Sequence, residues 1–217
     1  MRVLSIDTAG PVAGVALYVD GSVRQRTERV IRGADTRLMP WAQSLAAEAG
    51  VPLSSIDGVA VGAGPGAFTG LRVGLASALG LATALGCPVV PLSTLRSRAD
   101  RWLGVGVVLC ALDARKGRVY AARWKGSERV VPAADISPEE ALRGLAPGFL
   151  AVGEGVLVYR EAVEAAGGTI VADADDPGVA ALARLGADAI TAGRGQDPVD
   201  VRPTYLRPPD AKPRRSR

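Results

Sequence analysis

Histidine is missing altogether from these 217 residues. Its absence excludes an imidazole general base, a Ser-His-Asp relay and any metal site built on histidine. Lysine is almost as scarce, with Lys116, Lys125 and Lys212 the only representatives. Cysteine occurs twice, as Cys87 and Cys110, outside any C-x-x-C spacing. Both lie in apolar runs and read as buried thiols of a reducing compartment, since a chain of this length needs no disulfide staples. An excess of one charge is also lacking. The 26 basic and 22 acidic residues give +4. Lys212, Arg214, Arg215 and Arg217 supply that surplus, and the chain before them is neutral overall. No basic stripe for nucleic acid follows from this, only a short basic tail that reads as a solvated terminus.

Apolar residues make up 48% and charged residues 22%, an ordinary globular balance. The length suits one large domain or two lobes. The longest uncharged stretch, Val73 to Leu95, is dominated by Gly, Ala, Ser and Thr and interrupted by Pro88 and Pro91. A membrane span is therefore not expected there; a helix followed by a strand fits better. Asp7 breaks the first apolar run at once, so no secretory leader is expected and a cytoplasmic location is.

Local patterns predict the elements. Val3–Ile6, Val12–Val19 and Val23–Val30 read as strands, the last two joined by the hairpin signal Asp20-Gly21. A helix is expected over Thr36–Ala49, capped by Asp35 or Thr36 and closed by Gly50. Gly58–Val61 reads as a buried strand, Leu71–Gly86 as a helix, Pro88–Pro91 as a strand, and Ser93 as the cap of a helix running to Trp102. A second lobe opens with the apolar run Val105–Leu112 and a hairpin through Lys116-Gly117 to Arg118–Trp124. Helices at Pro138–Leu145, Val156–Ala166 and Gly178–Ala192 follow, with strands near Phe149–Val152 and Thr169–Val171. Both halves begin with paired strands and continue as alternating helix and strand, which suggests a duplicated mixed α/β unit. The expected division is a first lobe over 1–103, a second over 104–207, and an extended basic tail over 208–217.

The densest glycine stretch is Gly62-Ala63-Gly64-Pro65-Gly66-Ala67-Phe68-Thr69-Gly70-Leu71-Arg72-Val73-Gly74. Such glycines permit positive φ and close backbone approach, so the loop suits an anion, another chain's backbone, or simply a tight strand-to-helix turn. It is not a Walker phosphate loop, because the required lysine is absent. In the helix beyond it, Gly70, Gly74, Ala78, Ala82 and Gly86 recur every fourth residue as a ridge of minimal side chains, beside Leu71, Leu75 and Leu79. After Arg72 no charge appears until Arg96. A surface helix needs a polar face, so this one must be covered on two sides. One cover is its own sheet; the other is either more of this chain or a second chain. The preceding helix adds Leu38, Trp41, Ala42, Leu45 and Ala49 on one side, with Met39 beside them.

Asp7 ends the first strand and Asp113 the first long strand of the second lobe, positions from which carboxylates would hold Mg²⁺ and phosphate between lobes. Taken singly, each reads as an Asx-turn or loop cap. Glu154, in Val152-Gly153-Glu154-Gly155, reads as a turn residue. No partner base accompanies them, so the catalytic case is thin.

Gly64 to Gly74 resembles the G-P-G-S-F-T-G-L-R-[IV]-G signature of the bacterial TsaB (YeaZ) family. Ser5-Ile6-Asp7-Thr8, Pro88–Leu95, Leu112-Asp113-Ala114-Arg115 with Val119-Tyr120, and Pro203-Thr204-Tyr205-Leu206-Arg207 agree with it, so the likeness spans residues 1–207. The resemblance implies an α/β, two-lobed fold of the actin/Hsp70/sugar-kinase type. It also implies a non-catalytic dimerisation subunit of the system that makes threonylcarbamoyladenosine at position 37 of tRNA, with no cofactor and no metal of its own. The implied partners are TsaD, which carries the chemistry, and TsaE, which binds the pair. A homodimer through the same surface is implied when the chain is alone, and tRNA is met indirectly. The implied partner face comprises Leu38, Met39, Trp41, Leu45, Leu71, Leu75, Ala78, Leu79 and Ala82. Gly64, Gly66, Thr69, Gly70 and Arg72 mark the glycine loop, and Asp7, Thr8 and Asp113 a vestigial phosphate loop. Ala67 replaces the signature serine and Ala9 the usual serine of Asp-Thr-Ser, which weakens phosphate binding. A metallopeptidase reading needs two helical histidines and fails on composition. The alternative is an ATP-dependent kinase or ATPase of the same superfold using Asp7 and Asp113.

Overall fold

The computed structural model describes residues 1–30 and 33–208, and it contains two five-stranded sheets flanked by helices. Strands β1 (Arg2–Asp7), β2 (Val12–Val19) and β3 (Ser22–Arg29) form an antiparallel meander. Asp20 and Gly21 both take positive φ in its second turn, as a two-residue hairpin requires. Strands β4 (Gly58–Gly64) and β5 (Val89–Ser93) add in parallel on the other side of β1, giving the order β3-β2-β1-β4-β5. The second sheet holds β6 (Val107–Arg115), β7 (Arg118–Lys125), β8 (Glu128–Ile136), β9 (Leu150–Val152) and β10 (Thr169–Ile170) in the order β10-β9-β6-β7-β8. Counted from the start of each lobe, the two orders are the same. The duplicated α/β unit is therefore present, as two lobes each built on a mixed five-stranded sheet flanked by helices.

The helices are α1 (Asp35–Glu48), α2 (Phe68–Leu85), α3 (Thr94–Ala99), α4 (Pro138–Leu142), α5 (Glu154–Val158), α6 (Arg160–Ala165) and α7 (Val179–Thr191). Ser93 caps α3 as expected, its hydroxyl accepting from the Arg96 N–H at 3.3 Å. The cap of α1 differs: Ala34 holds that position, and the Thr36 hydroxyl donates to the Gly33 carbonyl instead. Helix α2 starts three residues before Leu71, because Ala67 is already extended and only Phe68 turns helical. The single helix expected over Val156–Ala166 is two, broken at Tyr159. Strand β8 went unforeseen, since Pro132 and the charged start Glu128-Arg129 argue against a strand. It is an edge strand, where a missing N–H and exposed charge are tolerated.

In the first lobe α1 and α2 cover one face of the sheet and α7 the other. Leu4, Ile6, Val59 and Val61 point to the first side, and Val3 and Ala60 meet Leu182 and Ala187 on the second. Burial on both faces explains the unbroken apolar run of β4 and the buried Val3, Leu4 and Ile6 of β1. This placement of α7 corrects the division at 104–207. The second sheet ends at β10, and the chain then returns to the first lobe through α7 and the segment after it, where Gln196 and Val89 exchange backbone hydrogen bonds. Helix α3 belongs to both lobes, since Leu95 and Ala99 pack in the core of the second. Both cysteines are free and buried, and burial pushes both thiols up. Of the expected basic tail, residues 209–217 lie outside the described part.

The small-residue ridge of α2 faces inward. Gly74, Ala78 and Ala82 are buried, and a Cβ at Gly70 would collide with the Thr8 carbonyl oxygen. The ridge thus lets α2 sit directly on the end of β1. Gly70→Val is expected to cost about 3 kcal/mol of stability by overpacking this contact, measured by urea unfolding; a loss below about 1 kcal/mol would show that the backbone yields there.

The interlobe cleft and the open face of helix α2

A buried ion pair closes the end of β1. The Arg98 guanidinium donates to Asp7, Nη2 to Oδ1 at 3.1 Å and Nη1 to Oδ2 at 3.3 Å. The Ala9 N–H also donates to Oδ1, at 2.9 Å, and Arg98 Nη1 donates to the Thr94 carbonyl at 3.1 Å. Both side chains are almost wholly buried, at 0% and 1% exposure. Burial alone pulls the guanidinium pKa down, but attraction from Asp7 and Glu154 and hydrogen bonding to Asp7 outweigh it, so Arg98 is held charged. Its Nε has no hydrogen-bond partner.

Asp113 is engaged as well. Its Oδ1 accepts from the Arg115 N–H at 2.9 Å, and Arg115 Nη1 lies 3.2 Å from Oδ2. A divalent cation between Asp7 and Asp113 would have to displace these partners, so the two aspartates do not fit such a site as they stand. Among the described residues no three His, Cys, Asp or Glu side chains gather to hold a metal ion.

A cleft of about 1070 Å³ separates the lobes, lined by Ala9–Pro11, Gly66–Phe68, Asp113–Lys116, Glu154 and Tyr205 among others. Asp7 and Thr8 do not line it. Glu154, expected in a turn, is the first residue of α5 and is buried at the cleft; burial pushes its carboxyl up, against the pull of Arg98. The glycine loop is filled from within the chain. A Cβ at Gly66 would meet Ala9, and Thr8 donates its hydroxyl to the Gly70 carbonyl at 2.6 Å. The close approaches that these glycines allow are made by this chain's own backbone, so the loop acts as a strand-to-helix turn. Thr69 is exposed outside it. Arg72 lies over the Phe68 ring at 3.8 Å and donates through Nε to the Tyr205 hydroxyl at 3.2 Å.

Helix α2 is long and apolar enough to cross a membrane by length and composition, yet one face is packed on β4 and β1. The opposite face is open. Phe68, Thr69, Arg72, Ala76, Gly80, Thr83 and Ala84 are exposed, and Arg72 is the sole charge among them. A Cβ at Gly80 would have nothing within 4 Å. The expected partner face therefore needs correction. Leu38, Leu45, Leu71, Leu75, Ala78 and Ala82 are buried in this chain's own core and leave almost no exposed surface. Met39, Trp41 and Leu79 are half-buried at its edge.

A second charge cluster went unread in the sequence. Arg207 donates to Asp135 on β8, Nε to Oδ2 at 2.7 Å and Nη2 to Oδ1 at 3.0 Å, and Arg118 Nε donates to Oδ1 at 2.8 Å. Hydrogen bonds from Arg207, then from Arg118, hold the Asp135 carboxyl below the usual range, while burial opposes them. Its contribution to stability is therefore full above the unfolded carboxylate value, about pH 4, and is lost as pH falls through the lower folded value. Asp135→Asn is expected to lower the thermal midpoint at pH 7, with the gap to the parent protein starting to close near about pH 4 and vanishing only below the lower folded value; a gap independent of pH would sink this assignment. Arg98 had a legible signal, since it lies four residues after Thr94 on the buried side of α3. Asp135 had none, because its partners Arg118 and Arg207 stand 17 and 72 residues away.

Comparison with known proteins agrees with this geometry. Residues 28–185 match a family model described as "TsaD: tRNA N6-adenosine threonylcarbamoyltransferase". The chain is 40% identical over 131 residues to the tRNA threonylcarbamoyladenosine biosynthesis protein TsaB of Escherichia coli, covering 59% of this chain and 57% of that protein. The Haemophilus influenzae TsaB matches at 35% over 123 residues, 55% and 52% of the two lengths. The chain thus spans little more than half of either curated relative. YeaZ from Pseudomonas aeruginosa superposes with a TM-score of 0.75 at 30% identity, over 94% of this chain and 99% of that one. Another Pseudomonas aeruginosa structure, described as an uncharacterized protein with similarity to peptidase YEAZ, gives 0.79 at 31%, over 95% and 99%. Taken with the matched fold and signature, these place the chain in the TsaB/YeaZ family, within the wider group covered by that transferase model.

Proposed function

We propose that this chain is a non-catalytic scaffold subunit in the synthesis of threonylcarbamoyladenosine on tRNA. Its open α2 face, with the edge of α1 at Met39 and Trp41, binds a TsaD partner that transfers the threonylcarbamoyl group to adenosine 37 of tRNAs reading ANN codons. TsaE joins through that pair, and tRNA is met through the assembly. Alone, the chain uses the same face for a homodimer, so the two associations compete. The observation that carries this reading is α2 itself: 18 residues, one charge, one face in the core and the other bare. Leaving such a face in water is unfavourable, and small side chains let a second backbone approach closely. The names of the curated relatives supply the pathway. Co-expression with TsaD and a mass measurement of the purified product test it. A complex containing both chains is expected; two proteins that separate at micromolar concentration would overturn it.

The kinase or ATPase alternative needs carboxylates free to hold a metal-bound phosphate. Asp7 instead accepts three hydrogen bonds in a buried site, which favours the scaffold reading. Calorimetric titration with Mg-ATP separates the two: micromolar binding by the isolated chain, with turnover, would revive the alternative.

A further inference from the structure

Pro203-Thr204-Tyr205-Leu206-Arg207 stands out in the sequence, and the scaffold reading gives it no task. Its contacts run from one lobe to the other. On the first lobe the Thr204 N–H donates to the Ala63 carbonyl at 2.7 Å, at the end of β4. The Thr204 carbonyl passes so close to Gly64 that a Cβ there would collide with it, and Gly64 holds φ at +118°. Tyr205 lies against Phe68 with ring centroids 5.4 Å apart and accepts from Arg72, both on α2. Two residues later the chain is on the second lobe. Arg207 forks onto Asp135 of β8, donates through Nη1 to the Ala114 carbonyl of β6 at 2.9 Å, and lies 5.9 Å from the Tyr120 ring of β7. Tyr205 and Arg207 line the cleft between these anchors.

We propose that residues 203–207 are a strap that fixes the angle between the two lobes, anchored on the first by Thr204 and Tyr205 and buckled to the second by Arg207. The geometry explains the chemistry at each end. The first anchor is a backbone hydrogen bond and a stacked ring, which position the chain without charge. The buckle is a two-pronged guanidinium–carboxylate contact, the side-chain pairing with the strictest geometry. A lysine there would keep the charge and lose the fork. The lobes also meet through α3, through Arg29 and Asp175, through Glu154 beside Gly10 and Arg98, and through the connection into α7. Among them the strap joins the two lobes within five consecutive residues and lines the cleft with Tyr205 and Arg207. It stands independently of whether TsaD binds.

Spin labels on Arg24→Cys in β3 and Arg129→Cys in β8 report the interlobe distance, both positions being exposed and both native thiols buried. The full chain with its strap intact is expected to give one narrow distance distribution. Arg207→Ala should broaden it, leave the far-ultraviolet circular dichroism unchanged, and speed hydrogen exchange at the Thr204 amide roughly tenfold. Should Arg207→Ala not fold, Tyr205→Ala loosens the opposite anchor and is read in the same way. A distribution that stays narrow in the folded variant, or one already broad with the strap intact, overturns the proposal.

Discussion

Asp7→Ala is expected to destabilise the protein by about 3–5 kcal/mol, the usual cost of removing one partner from a buried ion pair. The reason lies with Arg98. Its guanidinium is almost wholly buried, its Nε already lacks a partner, and after the substitution only the attraction of Glu154 would remain from the nearby acids named above. Glu154 makes no ion pair with it, so the loss is only partly offset. The reciprocal experiment sharpens the test. Asp7→Leu combined with Arg98→Met removes both charges at similar volume and should recover most of the stability, since two desolvation penalties vanish with the attraction. Guanidinium unfolding of the single and double variants measures both. A single variant within about 1 kcal/mol of the parent, or a double variant no better than the single, would show that the pair is not what holds the end of β1. The same data bear on the kinase alternative, which expects Asp7 substitution to act on turnover in a protein of unaltered stability.

The second large effect concerns the open side of α2. Gly80→Arg should weaken association with TsaD by at least about 2 kcal/mol, roughly thirtyfold in affinity, because a bulky charge would be placed in the middle of a close helix contact. The folded monomer should lose nothing, although the homodimer proposed on the same face would weaken along with the complex. Gly80 is exposed with open space around it, and arginine is a better helix former than glycine by up to about 1 kcal/mol. Thermal unfolding at equal or higher temperature together with lost partner binding is therefore the expected signature, checked by calorimetry on the purified chain at concentrations where the parent is monomeric and by titration with TsaD. Ala84→Glu should behave alike in binding. By contrast, Leu75→Glu or Ala78→Arg would place a charge in this chain's own core, and any loss of association would reflect unfolding. Unchanged affinity in Gly80→Arg would place the interface elsewhere.

How far the sequence reached can be judged at α2. Its near freedom from charge implied a helix with one side against its own sheet, as observed, and the exposed side carries Arg72 as its one charge. Which side is buried in this chain was not legible, for a physical reason. The ridge of Gly70, Gly74, Ala78 and Ala82 and the outer stripe of Ala76, Gly80 and Ala84 are both small, so periodicity alone does not orient the helix. Orientation is decided by Thr8, whose carbonyl and hydroxyl occupy the space that larger side chains at 70 and 74 would need. The same limit applies at Asp7 and Glu154. The Asx turn expected at Asp7 is present, its Oδ1 accepting from the Ala9 N–H, but local context showed neither the buried Arg98 that makes Asp7 a structural anchor nor the burial that pushes up the carboxyl of Glu154.

Strands, hairpins and the doubled α/β unit follow from patterns within a few residues: alternation and continuous apolar runs, Asp20-Gly21, Lys116-Gly117, and Ser93 as a cap. The zero of histidine settled in advance which chemistries are out of reach. Relations across long stretches of chain are another matter. The return of α7 to the first sheet, the pairing of Asp7 with Arg98 and the crossing from Thr204 to Arg207 join residues that share no local pattern. Such contacts arise from burial and hydrogen bonding in the assembled chain, where a guanidinium finds its carboxylate by position in space.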